Sequence, residues 1–209
     1  MRFADRDDAG RRLAALLESE RAEGPVVLGL PRGGVAVALP VAQALDAPLD
    51  VIVVRKLGVP WLPEFAMGAL GEGGARVLDE ETVELARVSS DQLEAVERRE
   101  SEELVRRAQR YRASHPRVPL DGRSAIVVDD GIATGSTARA ACTVAAQQGA
   151  TRVVLAVPVL PPDLIGPLGE VADRVVWVEA PARLDAVGAW YRDFGQLTDE
   201  DVVRLLSCV

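Results

Sequence analysis

The chain has little of several residue types on which common classes of protein depend. Its 209 residues include two cysteines, Cys142 and Cys208, and one histidine. Two cysteines are too few for a disulfide framework, and their separation does not match the spacing of metal-binding pairs. Aromatic residues make up only 4% of the chain, and Lys56 is its one lysine. These shortages exclude a disulfide-rich scaffold, and they make the single lysine a position to follow.

Long apolar runs and an excess of positive charge are also missing. The most apolar stretch, residues 26–45, is interrupted by Pro31, Arg32 and Pro40, so we do not expect it to span a bilayer. The N-terminus lacks an apolar signal core. The formal charge of −8 argues against nucleic acid or an anionic membrane as the main partner. The composition therefore predicts a cytoplasmic protein whose residues 1–209 form one domain with a sizeable core.

The most informative stretch of the chain lies near its middle. Residues 125–128 are apolar and largely β-branched, which predicts a buried strand. This strand ends on two adjacent carboxylates, Asp129 and Asp130. A turn of small residues follows and opens a helix that we expect to reach about Gln148. The residues of this turn are Ala133, Thr134, Gly135, Ser136 and Thr137.

Such a turn suits an anion, and the two carboxylates before it suit a sugar. Small residues allow several backbone N–H groups to surround one anion, and a helix N-terminus adds unpaired donors and partial positive charge. The two carboxylates can accept hydrogen bonds from sugar hydroxyls, hold a hydrated Mg²⁺, or stabilise positive charge on carbon. A receiver domain also places an acid pair at a strand tip, but that alternative leaves the small-residue turn unexplained. The pattern favours a site for ribose 5-phosphate.

Residues 127–137 resemble the motif with which type I phosphoribosyltransferases bind phosphoribosyl pyrophosphate (PRPP). The resemblance implies an α/β fold with a doubly wound, mainly parallel sheet flanked by helices. It also implies that residues 133–137 hold the 5-phosphate. Asp129 and Asp130 would bind the ribose hydroxyls, stabilise positive charge in the reaction and take part in binding Mg²⁺.

A second candidate site follows the predicted strand at residues 26–30. Arg32 offers a planar fork to phosphate oxygens, and the glycine pair that begins at Gly33 permits close approach of the backbone. By itself this is an ordinary strand-to-helix turn. In the family it matches the pyrophosphate loop, which often contains a strained or cis non-proline peptide. In the helix that follows, at about 34–45, we expect Pro40 to cause a kink or an early end.

A third candidate site is the basic pair Arg55 and Lys56, which follows a strand predicted at residues 50–54. Adjacent cations on an acidic protein suggest an anionic ligand, although a solvated edge pair is the alternative. Residues 55–63 resemble the strand and mobile lid of adenine-type family members. There the basic pair contacts pyrophosphate and the lid excludes water. The resemblance thus implies pyrophosphate binding for both side chains and a catalytic role for Lys56.

The segment from about 57–120 is predicted to hold the lid, a hairpin and a helical insertion. The hairpin joins residues 65–70 to 75–78. Residues 79–116 predict two helices that meet near 88–90. Their apolar stripe is narrow, so we interpret them as an exposed arm or a packing helix, and we assign them no chemistry.

The C-terminal stretch, from about 180–209, resembles the hood that stacks on the base in purine-type members. The resemblance implies that Trp190, or Tyr191, stacks on the acceptor, with Asp193 near the metal or the base. Core or dimer packing of these aromatics is the alternative. Thr198 predicts the capping start of a last helix.

All three candidate sites follow strands that we expect to lie in one parallel sheet, where ligands bind at the carboxyl ends. We therefore expect a transferase that moves ribose 5-phosphate from PRPP to a nucleobase-like acceptor and releases pyrophosphate. The acceptor is open, because Ala133 stands where hypoxanthine- and guanine-specific members have an aspartate. A PRPP-binding regulator and a Mg²⁺-dependent phosphohydrolase or receiver-like module are the alternatives. The resemblance also implies a homodimer.

Overall fold

The computed structural model describes residues 2–208, and its centre is a parallel sheet of five strands. In spatial order the strands are β2 (Leu49–Val51), β1 (Val26–Gly29), β6 (Ser124–Val128), β7 (Arg152–Val159) and β8 (Arg174–Glu179). The helices around them are α1 (Arg6–Leu17), α2 (Gly33–Leu45), α5 (Ser136–Gln147), α6 (Ile165–Leu168) and α7 (Asp199–Leu206). The predicted fold class, a doubly wound parallel sheet with flanking helices, is confirmed.

The alternation of side chains along β6 explains why helices cover both faces of the sheet. Ile126 and Val128 pack in one buried cluster with α1, α2 and α7. Ala125 and Val127 point the other way and pack in a second cluster with α5 and α6. Because both faces of β6 are buried, apolar residues occupy successive positions instead of alternating with polar ones. This accounts for the continuous apolar run in the sequence.

A second sheet of three antiparallel strands lies against α5. Its strands are β3 (Val54–Val59), β4 (Leu62–Gly71) and β5 (Ala75–Leu78), and the predicted hairpin is β4–β5. The contact with α5 is close, since a Cβ added at Gly71 would lie 2.3 Å from Val144 Cγ1.

The prediction for the strand at 50–54 was wrong at its C-terminal end. The parallel strand β2 ends at Val51, and the chain then passes into β3, so Arg55 and Lys56 lie inside an antiparallel strand. The apolar residues at 51–54 form one uninterrupted run, but their hydrogen-bonding partners change from one sheet to the other. Periodicity cannot detect such a change.

The two helices predicted in the insertion are confirmed as α3 (Glu80–Leu85) and α4 (Ser90–Arg112). Asp79 caps α3, and Ser89 with Gln92 forms a capping box at the start of α4. Of the two readings of this segment, the packing helix is right and the exposed arm is wrong. The narrow apolar stripe of α4 is buried against the rest of the chain, at Val96, Leu104, Ala108 and Tyr111.

Two smaller expectations had opposite outcomes. Helix α2 contains Pro40 and still runs on to Leu45, so of the two effects expected of this proline, a kink or an early end, the early end is wrong. The Pro40 ring lies against α1, where a Cβ added at Gly10 would be 2.4 Å from Pro40 Cγ. Thr198 caps α7 as expected. Across residues 2–208, every helix is too short or too polar to cross a membrane.

Candidate active site

The second candidate loop and the acid pair are in direct contact. The backbone N–H of Leu30 donates to the carbonyl of Val128 at 2.8 Å, which fixes the loop to the end of β6. A Cβ added at Gly33 would lie 1.8 Å from Asp130 Oδ2, and one at Gly34 would lie 2.5 Å from the Val128 carbonyl oxygen. Only glycines allow this approach. The fold therefore brings together two of the three sites that the sequence indicated.

Arg32 lies at the exposed start of α2, just before the two glycines that contact the acid pair. It is the N-cap residue of the helix, and its side chain is exposed. The peptide bond between Pro31 and Arg32 is cis. The expectation of a cis non-proline peptide in this loop is confirmed, and the bond lies immediately before Arg32.

The two carboxylates are half-buried, and their surroundings oppose ionisation. Asp129 Oδ1 accepts the backbone N–H of Asp130 at 2.9 Å. Burial, followed by the charge of Asp130, raises the pKa of Asp129 to about 8. Burial also raises the pKa of Asp130, against the opposing effect of a nearby arginine, Arg6. A site that raises the pKa of adjacent acids favours a cationic or hydrogen-bond-donating ligand.

Arg6, on the first turn of α1, is a residue of this site that the sequence analysis missed. Its Nε and Nη2 each lie 2.9 Å from Asp130 Oδ2. Its Nη1 donates to the carbonyl of Gly195 at 2.9 Å, and its guanidinium lies 3.9 Å above the ring of Phe194. Arg6 and Asp130 are 124 residues apart in the chain. No local pattern in the sequence connects them.

The tail reaches the acid pair through Tyr191, which packs in the core as the alternative for these aromatics predicted. Tyr191 is 4% exposed, its ring packs between Phe3 and Phe194, and its hydroxyl donates to the carbonyl of Asp130 at 2.5 Å. A buried ring cannot stack on a ligand, so that role for Tyr191 is wrong. Trp190 is partly exposed, and the stacking of Trp190 stays a prediction.

The turn of small residues at 133–137 opens α5 with its backbone donors available. Gly135 has a φ of +81° and is the N-cap, and no side chain caps the helix. Ala133, Thr134 and Thr137 are exposed. Ile132, just before them, is buried, and its N–H bonds to β7 at 2.9 Å. The turn is therefore fixed at its base and open at its tip, as anion binding at a helix N-terminus requires.

The basic pair lines a cavity of about 430 Å³ between the loop at 30–34, strand β3 and helix α4. Thr137 of the small-residue turn at 133–137 borders the same cavity, so all three candidate sites adjoin one another. Its charged lining consists of four cations and one carboxylate: Arg55, Lys56, Arg99, Arg107 and Glu100. This balance of charge suits a polyanion.

Arg55 and Lys56 each form an ion pair with a glutamate. Arg55 Nη2 lies 2.6 Å from Glu100 Oε2, and Glu100 is buried on α4. Lys56 Nζ lies 2.7 Å from Glu64 Oε2, whose side chain is 84% exposed. Helix α4, to which the sequence analysis assigned no chemistry, thus contributes to the cavity. Glu100 lies in the apolar stripe of α4, four residues after Val96 and four before Leu104, and this spacing is the signal that could have identified it.

Comparison with known proteins agrees with this geometry. The family profile described as "Phosphoribosyl transferase domain" matches residues 5–186. A Mycobacterium tuberculosis protein, provisionally named a phosphoribosyl transferase, is 53% identical over 205 residues, which is 98% of this chain and 46% of that protein. The chain thus spans about half the length of the curated relatives it matches.

A solved structure agrees as well. The crystal structure of TT1426 from Thermus thermophilus has a TM-score of 0.92 and 48% identity, with 99% of this chain and 98% of that chain covered. The resemblance inferred from residues 127–137 is confirmed. The chain belongs to the phosphoribosyl transferase domain family.

Proposed function

We propose that this site transfers ribose 5-phosphate from PRPP to a nitrogen atom of a nucleobase-like acceptor. The observation that carries the proposal is the contact between the acid pair and the Gly33–Gly34 loop, beside a cation-lined cavity. In the reaction the bond from the anomeric carbon to pyrophosphate breaks, and a carbon–nitrogen bond forms. Positive charge develops on the ribose ring and negative charge on the leaving group. The site offers carboxylates for the first and cations for the second.

Each loop has a role in this proposal. The turn at 133–137 binds the 5-phosphate through backbone donors and hydroxyls. Asp129 and Asp130 accept hydrogen bonds from the ribose hydroxyls and stabilise the positive charge, with the carboxylates in place before the reaction begins. Trp190 stacks on the acceptor.

The leaving pyrophosphate is bound at the other end of the site. Arg32, Gly33 and Arg55 bind it, and Lys56 neutralises its charge as the bond breaks. Ala133 has no group that could accept a proton. The acceptor must therefore lose its proton to another group, or bind as an anion.

The acid pair also fits Mg²⁺. A divalent cation beside the two half-buried acids would stabilise their ionised forms and so lower their raised pKa values. Mg²⁺ in proteins commonly binds one or two carboxylates together with phosphate oxygens. Within residues 2–208, no three His, Cys, Asp or Glu side chains form a complete site for a metal. Asp129 and Asp130 would hold the ion together with substrate oxygens. When bound, it would neutralise pyrophosphate.

A second candidate function is a PRPP-binding regulator without turnover. The observation in its favour is that Arg55 and Lys56 already have carboxylate partners, Glu100 and Glu64. A cation that must first leave an internal partner binds a ligand less readily.

One assay separates the two functions. Purified protein is incubated with PRPP and Mg²⁺, with and without a panel of purine and pyrimidine bases, and pyrophosphate release and nucleotide formation are measured. The transferase predicts both products with at least one base, and neither in the Asp129→Asn, Asp130→Asn variant. Binding of PRPP without release with any base supports the regulator. Sizing chromatography of the same sample tests the proposed homodimer.

A further inference from the structure

The side chain of Arg6 is more deeply buried than those of the cations in the cavity, yet the proposed reaction does not use it. Its side chain is 13% exposed, against 30% for Arg55 and 29% for Lys56. Arg6 is also the first residue of α1, where the helix dipole favours negative rather than positive side chains. Helix stability therefore does not explain an arginine at this position.

The contacts of Arg6 make the two carboxylates unequal. Asp130 Oδ2 receives both Nε and Nη2 of Arg6, and Asp129 Oδ1 receives the backbone N–H of Asp130. Within residues 2–208 no hydrogen bond from another residue is directed at Asp129 Oδ2 or at Asp130 Oδ1. Each acid thus has one oxygen that another residue holds and one oxygen that no other described residue holds.

Arg6 also connects the acid pair to the two segments beside it. A Cβ added at Gly33 would lie 3.1 Å from Arg6 Nε, so the guanidinium borders the glycine loop. On its other side the guanidinium contacts Phe194 and the carbonyl of Gly195. Arg6 therefore holds Asp130 Oδ2 with two of its nitrogens, while Phe194 and Gly195 hold Arg6 in place. A lysine could not reproduce this contact, because its ammonium is a single point of charge.

We propose that Arg6 is a positioning residue of the ribose subsite. It holds Asp130 Oδ2, so that Oδ1 faces the ribose hydroxyls next to the available oxygen of Asp129. Arg6 does not contact the substrate. This inference rests on the proposed function, since it requires that the acid pair binds ribose.

The inference makes a prediction that separates positioning from a general structural role. Arg6→Gln removes the charge and the fork, and should lower the affinity for PRPP in the presence of Mg²⁺ by about tenfold or more, as expected for a charge-assisted hydrogen bond. The affinity for inorganic pyrophosphate measured without Mg²⁺, which uses the cations of the cavity and neither the ribose subsite nor an ion held by the acid pair, should stay within about twofold of wild type. Arg6→Lys keeps the charge without the fork, and should restore part of the loss.

Arg11→Gln is the matched control. Arg11 lies on the same helix and pairs with Asp7 at 2.6 Å, but both side chains are more than half exposed. It should bind both ligands like wild type. Calorimetric titration gives the two affinities for every variant, and circular dichroism confirms folding.

Two results would overturn the inference: wild-type affinity for PRPP in Arg6→Gln, or an equal loss of PRPP and pyrophosphate binding. If Arg6→Gln does not fold, Arg6→Lys serves for the same comparison, with a smaller loss confined to PRPP. Failure of the wild-type chain to bind PRPP would overturn the proposed function, and with it the subsite that the inference needs.

Discussion

The contact between the glycine loop and the acid pair can be tested by adding one methyl group. In Gly33→Ala the new Cβ would lie 1.8 Å from Asp130 Oδ2. An ordinary contact between carbon and oxygen is roughly 3.3 Å, so the two atoms must separate by about 1.5 Å. The carboxylate cannot turn freely, because Arg6 holds the same oxygen. The substitution should therefore force the loop from β6 or break the contact with Arg6.

Both outcomes have a measurable size. Overpacking costs about 1–3 kcal/mol, and loss of a hydrogen bond between charged groups costs about the same. We expect the free energy of unfolding of Gly33→Ala to fall by about 1–3 kcal/mol in urea titrations. We also expect its affinity for PRPP with Mg²⁺ to fall at least about tenfold in calorimetry, since the ribose subsite is displaced.

Gly166→Ala is the control for this substitution. Apart from its chain neighbours and the backbone of its own helix, no described heavy atom lies within 4 Å of a Cβ at Gly166, which is inside α6. Alanine should leave PRPP binding unchanged and should change the free energy of unfolding by no more than about 1 kcal/mol, because its gain in helix propensity is opposed by the preference of a residue before Pro167 for extended backbone. If Gly33→Ala matched this control in both measurements, the close contact that defines the site would be wrong.

Three further predictions concern the acids of the site. Glu64→Gln should raise the affinity for pyrophosphate up to about fivefold at low salt, because it frees Lys56 from an exposed pair; unchanged calorimetric affinity would contradict this. Glu100→Gln should lower the free energy of unfolding by about 1–3 kcal/mol in urea, because it leaves Arg55 beside a buried neutral group, and stability equal to wild type would refute the pairing. Asp129→Asn should gain stability relative to wild type as pH rises from about 4 to 8. The folded carboxyl, with a pKa raised from 3.8 to about 8, retains a proton that the unfolded chain loses, so its contribution to the free energy of unfolding falls over that range. Urea titrations at both pH values check the sign, and a difference that is constant with pH would show that the carboxyl is not perturbed.

The parts of the site that could be predicted are those in which neighbouring residues specify both structure and chemistry. Residues 125–137 combine a buried strand, an acid pair and a helix start in one continuous run. Each step of that run follows from local rules for strands and helix N-termini. The loop at Gly33 was recognisable for the same reason, since it directly follows a buried strand.

The parts that could not be predicted depend on contacts between distant segments. Arg6 reaches Asp130 across 124 residues, and Glu100 reaches Arg55 across 45. Neither pair has a sequence spacing that a helix or a strand would explain. The burial of Tyr191 likewise follows from packing against Phe3 at the other end of the chain. In each case tertiary packing decides which of several similar side chains takes part.

The central claim is that the acid pair and the loops beside it form a PRPP site. The most direct test is a calorimetric titration of the protein with PRPP and Mg²⁺, repeated with the folded Asp129→Asn, Asp130→Asn variant. We predict Mg²⁺-assisted binding with a Kd on the order of micromolar, the lower range of substrate constants, and its loss in the variant. Absence of binding by the folded wild-type protein would contradict the account. Release of phosphate or phosphorylation of an aspartate would then support the hydrolase or receiver-like alternative.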